Sequence, residues 1–164
     1  MSHKHVLVTG GSGLVGKAIK DIVKSDEELL TNCRWFFPTS EECNLLNRED
    51  VELLFSDIKP VYVIHLAARV GGLYKNISSN VTMFEHNLKI NTNIVECCHR
   101  FGVRYSVHCL STCIFPDDVV YPINEQKLHL GPPHESNKGY SYAKRMLQVQ
   151  TELYNDMYKK DPPT

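Results

Sequence analysis

No stretch of this 164-residue sequence approaches the ~20 consecutive apolar residues that crossing a bilayer demands. Charge of one sign is lacking too: 18 Lys and Arg stand against 19 Asp and Glu, with no basic run, so nucleic acid is not expected as the main partner. The N-terminus has neither the apolar run nor the small-residue cleavage site of a secretory signal, which makes the cytoplasm the expected compartment. Cys-x-x-Cys pairs are missing, so no metal site is expected from Cys33, Cys43, Cys97, Cys98, Cys109 and Cys113. In a reducing compartment the thiols stay free. All but Cys113 read as small buried hydrophobes. The low hydrophobicity and high net charge of disordered chains are lacking as well: 42% of residues are hydrophobic and the net charge is −1. One folded domain is expected.

Apolar patterning fills in the elements. Residues 5–9 read as a short buried strand, followed by a glycine-rich turn over 10–16. The spacing predicts a helix over 14–24, with Leu14, Ala18 and Ile22 beside Val15, Ile19 and Val23 on its apolar face. Residues 25–32 read as a loop, 34–37 as a strand, and 48–56 as a helix with Val51, Leu54 and Phe55 inward. The continuous apolar run 61–66 reads as a buried parallel strand. A long helix over 80–101 is closed by Gly102. A strand over 104–111, an irregular proline-containing segment over 116–138 and a helix over 139–159 complete the chain, which Asp161-Pro162-Pro163-Thr164 ends. Strands alternate with helices, so the expected fold is α/β, a doubly wound parallel sheet covered on both faces.

Four motifs carry chemistry. Gly10-Gly11-Ser12-Gly13-Leu14-Val15-Gly16 follows a strand and opens a helix. A pyrophosphate needs bare N–H groups and a helix N-terminus, which such a turn supplies; the plain alternative is a tight turn without a ligand. The second strand ends Phe37-Pro38-Thr39-Ser40 with no carboxylate at its tip, and Glu41 lies two residues late. That permits a 2′-phosphate, so NADP(H) is the expected cofactor, although no Arg selects it. His65-Leu66-Ala67-Ala68 ends the third strand, where small residues would let a cofactor lie against the backbone; His65 itself reads as a core histidine. Last, Ser111 ends the fourth strand, while Tyr140 and Lys144, four apart, share one face of a helix. A nearby ammonium favours the phenolate, so Lys144 is expected to lower the Tyr140 pKa. Tyr142 should face away and pack.

Together Gly10, Gly13 and Gly16, His65-Leu66-Ala67-Ala68, Ser111 and Tyr140-x-x-x-Lys144 resemble the extended short-chain dehydrogenase/reductases. More narrowly, Leu110-Ser111-Thr112-Cys113-Ile114-Phe115-Pro116 and the run from Gly131 to Arg145 are similar to the branch of that family that makes GDP-L-fucose. The resemblance runs from Val6 to about Tyr158. It implies a Rossmann domain and a substrate, GDP-4-keto-6-deoxy-D-mannose, that undergoes 3,5-epimerisation and NADPH-dependent 4-reduction. It implies that Ser111 binds the C4 oxygen, Tyr140 protonates it, and Lys144 holds the nicotinamide ribose. Cys113 would be one member of the epimerising acid–base pair, against the plain alternative of a buried inert thiol. Gly10, Gly13, Leu14, Val15, Gly16, Thr39, Asn44, Leu45, Leu66, Ala67, Ala68 and Asn87 would line the cofactor with Tyr140 and Lys144. A solvent-facing Asn87 is the alternative there.

Bacterial members carry arginines where Ser12, Pro38 and Ser40 stand, leaving Thr39, Ser40 and Lys17 to reach a phosphate. The family's catalytic histidine, last strands and sugar-nucleotide domain follow the Tyr–Lys helix. The chain is therefore expected to be an N-terminal portion, residues 1–164 of an NADP-binding domain without the C-terminal domain. Its fourth strand should present an unpaired edge that promotes self-association. In the intact family the two long helices pack across a homodimer. Two other readings stay open: another nucleotide-sugar epimerase or dehydratase, and a non-catalytic NADP-binding fragment.

Overall fold

The computed structural model describes residues 3–158. The expected starts and ends at residues 1–2, 159 and 161–164 lie outside the described residues. Four parallel strands, β1 (Lys4–Thr9), β2 (Cys33–Phe36), β3 (Tyr62–His65) and β4 (Tyr105–His108), form one sheet in the order β2-β1-β3-β4. The chain leaves β1 toward β2, then crosses back over β1 to β3. With right-handed crossovers this places α1 (Leu14–Ser25) on one face and α3 (Arg48–Ile58) and α5 (Asn80–Arg100) on the other. α6 (Lys138–Tyr158) lies along α5. The reversal opens a crevice between the C-terminal ends of β1 and β3.

Alternation along the strands decides what is buried. Leu7 and Val63 are register partners and meet Val51 and Phe55 of α3 and Ile94 of α5 in the core. The opposite face, carrying Tyr62, Ile64, Tyr105 and Val107, is less covered. Tyr105 and Val107 are exposed, and β4 is the sheet's edge among the described residues. β4 is also shorter than the expected 104–111.

Three expectations need correcting. α1 does not bury the face the sequence suggested: Leu14 is 89% exposed, Val15 and Ile22 are also exposed, and Gly16 and Val23 are its buried residues. Gly16 and Val23 are seven apart, two turns of helix, so the buried surface is a narrow stripe along one side. Residues 25–32 are not all loop, because α2 (Glu27–Asn32) forms there. Asp26 caps it by accepting from Leu29 N at 3.0 Å, and Glu27 and Glu28 sit in its first turn. Nor are five cysteines buried: Cys109 is exposed and Cys33 half-buried, while Cys43, Cys97 and Cys98 are buried. A further short helix, α4 (Leu73–Ser78), was not expected. Gly102 does close α5, at φ +67, the left-handed conformation glycine adopts without cost.

Candidate active site

The glycine turn begins where β1 ends. Gly10 has φ +75, and a Cβ there would stand 2.7 Å from Ala67 N and 2.9 Å from the Leu66 carbonyl carbon. A Cβ on Gly16 would collide with Gly10 O and lie 2.6 Å from Gly11 Cα. The turn can therefore sit tight against the segment after β3 only with glycines at these places. No side chain caps α1 at Gly13, and the N–H groups of its first turn have no carbonyl of their own helix to meet. Those N–H groups, at the positive end of the helix, suit an anion.

A cleft of about 410 Å³ opens over this turn. Gly10, Gly13, Thr39, Asn44, Leu45, Leu66, Ala67 and Ala68 line it, together with Arg69 and His86. Leu14, Val15 and Gly16 are not in its lining; their place is the first turn of α1. Asn87 is not in it either, and it does not face solvent. It is buried, with Oδ1 accepting from Arg69 N at 2.8 Å and Nδ2 donating to Arg69 O and Met83 O. Its amide is spent on holding the cleft wall rather than on meeting a ligand.

The cleft fits a dinucleotide on observations of its own: a glycine turn packed tight against its wall at Gly10, an uncapped helix start, an arginine in the wall, and a volume in the range of small-molecule sites. At its rim Glu42 turns back, and its carboxylate accepts from Thr39 N at 2.7 Å. Lys20 stands 5.0 Å from the Phe37 ring and adds to the lowering of the Glu42 pKa that the Thr39 hydrogen bonds dominate. Lys20 is thus a lysine placed by the end of β2 that the sequence reading did not name.

The second group of residues lies past β4. Ser111 Oγ is 3.1 Å from Cys113 Sγ and caps the 3₁₀ turn Thr112–Ile114. Tyr140, on α6, is half-buried, and its phenol lies close enough to Cys113, Cys109 and Ser111 for each to affect its ionisation. Lys144 is buried and its Nζ donates to Cys109 O at 2.7 Å. Cys109 N donates in turn to His65 O at 3.0 Å, one residue before the Leu66 that lines the cleft. Ser111, Cys113 and Tyr140 thus come close to one another, and Lys144 is tied through Cys109 to the end of β3; none of the four lines the cleft itself.

The expected lowering of the Tyr140 pKa is not found. Burial raises it, Cys113 and Cys109 add to the rise, and the nearby Ser111 hydroxyl opposes it. Burial also lowers the Lys144 pKa. The ammonium faces a carbonyl rather than the phenol, so the phenol keeps its proton at neutral pH.

Arg145 escaped the sequence reading. It is buried, its Nε donates to Ile114 O at 2.5 Å, and its Cζ lies 5.4 Å from the Tyr142 ring. It pins the turn that carries Cys113, and Tyr142 packs as expected. No periodic signal distinguishes such a residue from a solvated Arg after Lys144.

Comparison with known proteins points the same way. The model of the NAD dependent epimerase/dehydratase family matches residues 6–162. A GDP-L-fucose synthase of Dictyostelium discoideum is 52% identical over 157 residues, covering 96% of this chain and 48% of that protein. A probable GDP-L-fucose synthase of Drosophila melanogaster is 50% identical, covering 94% of this chain and 48% of that protein. The crystal structure of a GDP-L-fucose synthetase from Naegleria fowleri bound to NADP superposes with a TM-score of 0.88 at 42% identity, over 99% of this chain and 48% of that one. The chain spans about half the length of the curated relatives it matches.

Proposed function

The chain belongs to the NAD dependent epimerase/dehydratase family, and from that premise we propose that it is the NADP(H)-binding portion of an enzyme converting GDP-4-keto-6-deoxy-D-mannose to GDP-L-fucose. The observation that carries the reading is the gathering of Ser111, Cys113 and Tyr140 beside a glycine-floored cleft. The similarity to GDP-L-fucose synthases at 50–52% identity supports the substrate.

When bound, NADPH supplies the hydride that reduces C4 of the keto sugar. Gly10, Gly13 and the first turn of α1 would receive its pyrophosphate, Leu66, Ala67 and Ala68 would flank it, and Thr39, Asn44 and Leu45 would take its far end. Ser111 would hold the C4 oxygen. Tyr140 keeps its proton at neutral pH and would give it to that oxygen as C4 is reduced. Lys144 has three N–H donors and spends one on Cys109 O, leaving donors for the nicotinamide ribose. The protons on C3 and C5 are acidic because each is alpha to the carbonyl. Cys113, hydrogen-bonded to Ser111, would move a proton on one face of the sugar.

A homodimer and a cytoplasmic location belong to the same reading. The outer face of α5 and α6 supports the first: Val81, Phe84, Tyr142 and Met146 line an apolar groove there, and Leu153 and Met157 are exposed beyond it. A non-catalytic NADP-binding module is the second reading, favoured by a cleft whose lining includes none of Ser111, Cys113, Tyr140 and Lys144.

The test is NADPH oxidation with GDP-4-keto-6-deoxy-D-mannose and identification of the product. Substrate-dependent oxidation yielding GDP-L-fucose, reduced at least about 100-fold by Tyr140→Phe, is the expected result. NADPH binding without turnover selects the non-catalytic module. A chain that binds no NADPH overturns both.

A further inference from the structure

Beneath the cleft runs a line of buried polar groups that the proposed chemistry does not use. Thr9 Oγ1 lies 2.7 Å from His65 Nδ1, and His65 Nε2 lies 3.1 Å from Asn91 Oδ1. Asn91 Nδ2 donates to Ala143 O at 3.4 Å, and Ala67 N donates to Thr9 Oγ1 at 3.4 Å. Thr9, His65, Asn91 and Ala143 are all buried.

The direction of every bond follows from its ends. A carbonyl only accepts, so Asn91 turns its amide nitrogen to Ala143 and its oxygen to His65. That oxygen only accepts, so His65 carries its proton on Nε2. Nδ1 is then bare, and the Thr9 hydroxyl must donate to it. The hydroxyl's lone pair remains for the Ala67 N–H. Each donor finds one acceptor and the chain has a single sense, from Ala67 in the cleft wall to Ala143 on α6, between Tyr140 and Lys144.

We propose that His65 is a positioning residue, held as the neutral Nε2–H tautomer, through which the cofactor cleft and the Tyr140–Lys144 helix are kept in register. This rests on the cofactor reading above for its purpose but not for its geometry. Every element packed around the ring contributes: Thr9 from β1, Asn91 from α5, His108 from β4 with ring centroids 5.7 Å apart, and Lys144 from α6. Burial pushes the His65 pKa down to about 3, and His108 and Lys144 add to the lowering, so the ring stays neutral where the site would work. A charged ring would need a second acceptor, and the Thr9 hydroxyl could serve only by turning its own hydrogen away from Nδ1.

The test reads the tautomer directly. The long-range proton–nitrogen spectrum of the histidine-labelled chain should show His65 protonated on Nε2 alone and unchanged between about pH 5 and 8. Thr9→Ser keeps the hydroxyl and should keep this signature; Thr9→Val removes the donor and should release it. Asn91 does not line the cleft, so Asn91→Leu reads the coupling at a distance. It should weaken NADPH binding roughly tenfold, a coupling of ordinary size for residues linking two sites. An Nδ1–H ring, a ring that titrates in that range, or Asn91→Leu with unchanged NADPH affinity overturns the proposal. Should Thr9→Val fail to fold, the parent and Thr9→Ser spectra decide. A parent chain that binds no NADPH counts against the cofactor reading, and the spectra then decide the tautomer alone.

Discussion

Lys20 and Glu42 set the charge at the rim of the cleft, beside Pro38 and Thr39. The carboxylate is held in place by Thr39 N at 2.7 Å, and the ammonium sits over Phe37 close enough to affect it. A 2′-phosphate arriving there would meet both. Lys20→Gln is expected to weaken NADPH binding roughly threefold and to leave NADH binding unchanged; Glu42→Gln should favour NADPH by a similar factor. Both effects should shrink as salt is added. Equal effects on the two cofactors would place neither residue near the phosphate. Neither residue was legible in the sequence. The absence of an acid at the strand tip was, but the return of Glu42 depends on how the loop after β2 folds.

At the scale of elements, α5 and α6 approach most closely at their starts. Gly139 N donates to Asn80 Oδ1 at 2.5 Å, and a Cβ on Gly139 would collide with Asn80 O and stand 2.6 Å from Asn80 Oδ1. Gly139→Ala should therefore cost about 1–3 kcal/mol of stability and shift Tyr140 next to it. Denaturant unfolding checks this, and an unchanged midpoint would mean that the helices part freely. The elements best read from sequence are those whose signal is local. β1 and β3 are apolar runs, the glycine turn lies between β1 and α1, and α5 ends at Gly102. α2 and α4 are six residues each, too short for a helical period to emerge. The apolar face of α1 was misread because periodicity shows which residues could be buried, not which the sheet covers. Of the site, the proximity of Ser111 and Tyr140 was legible from motif spacing, whereas Cys113 entered only through the family resemblance. Arg145 and Asn91 were not legible, because their roles exist only when β4, α5 and α6 come together. The Tyr140 pKa was misjudged because a spacing of four puts two side chains on one face without aiming one at the other.

For the whole molecule, buried His65 and half-buried His108 make stability depend on pH. Burial holds His65 down at about 3 and, with Lys144 adding to it, His108 at about 4, while an unfolded histidine titrates near 6.5. The unfolded state therefore binds more protons throughout the interval between. Stability is full above about pH 6.5 and falls as pH drops toward 4, with uptake of about two protons on unfolding near pH 5. Urea midpoints across that range check it, and a flat profile would mean that both rings protonate within the fold. The same molecule leaves β4 without a second neighbour among the described residues, with Tyr105 and Val107 exposed beside it. Concentration-dependent association in sedimentation is expected; a monomer at every concentration would contradict it.

The central claim is that the glycine turn and the segment after β3 form a nicotinamide-dinucleotide cleft. NADPH titration of the chain and of Gly10→Ala tests it most directly. A Cβ at Gly10 meets Ala67 N at 2.7 Å and Leu66 C at 2.9 Å, so the substitution must move the turn away from the cleft wall. Saturable one-site binding by the parent, weakened at least about tenfold in a Gly10→Ala chain that still folds, is the expected result. Equal binding by both, or none by the parent, would contradict the account.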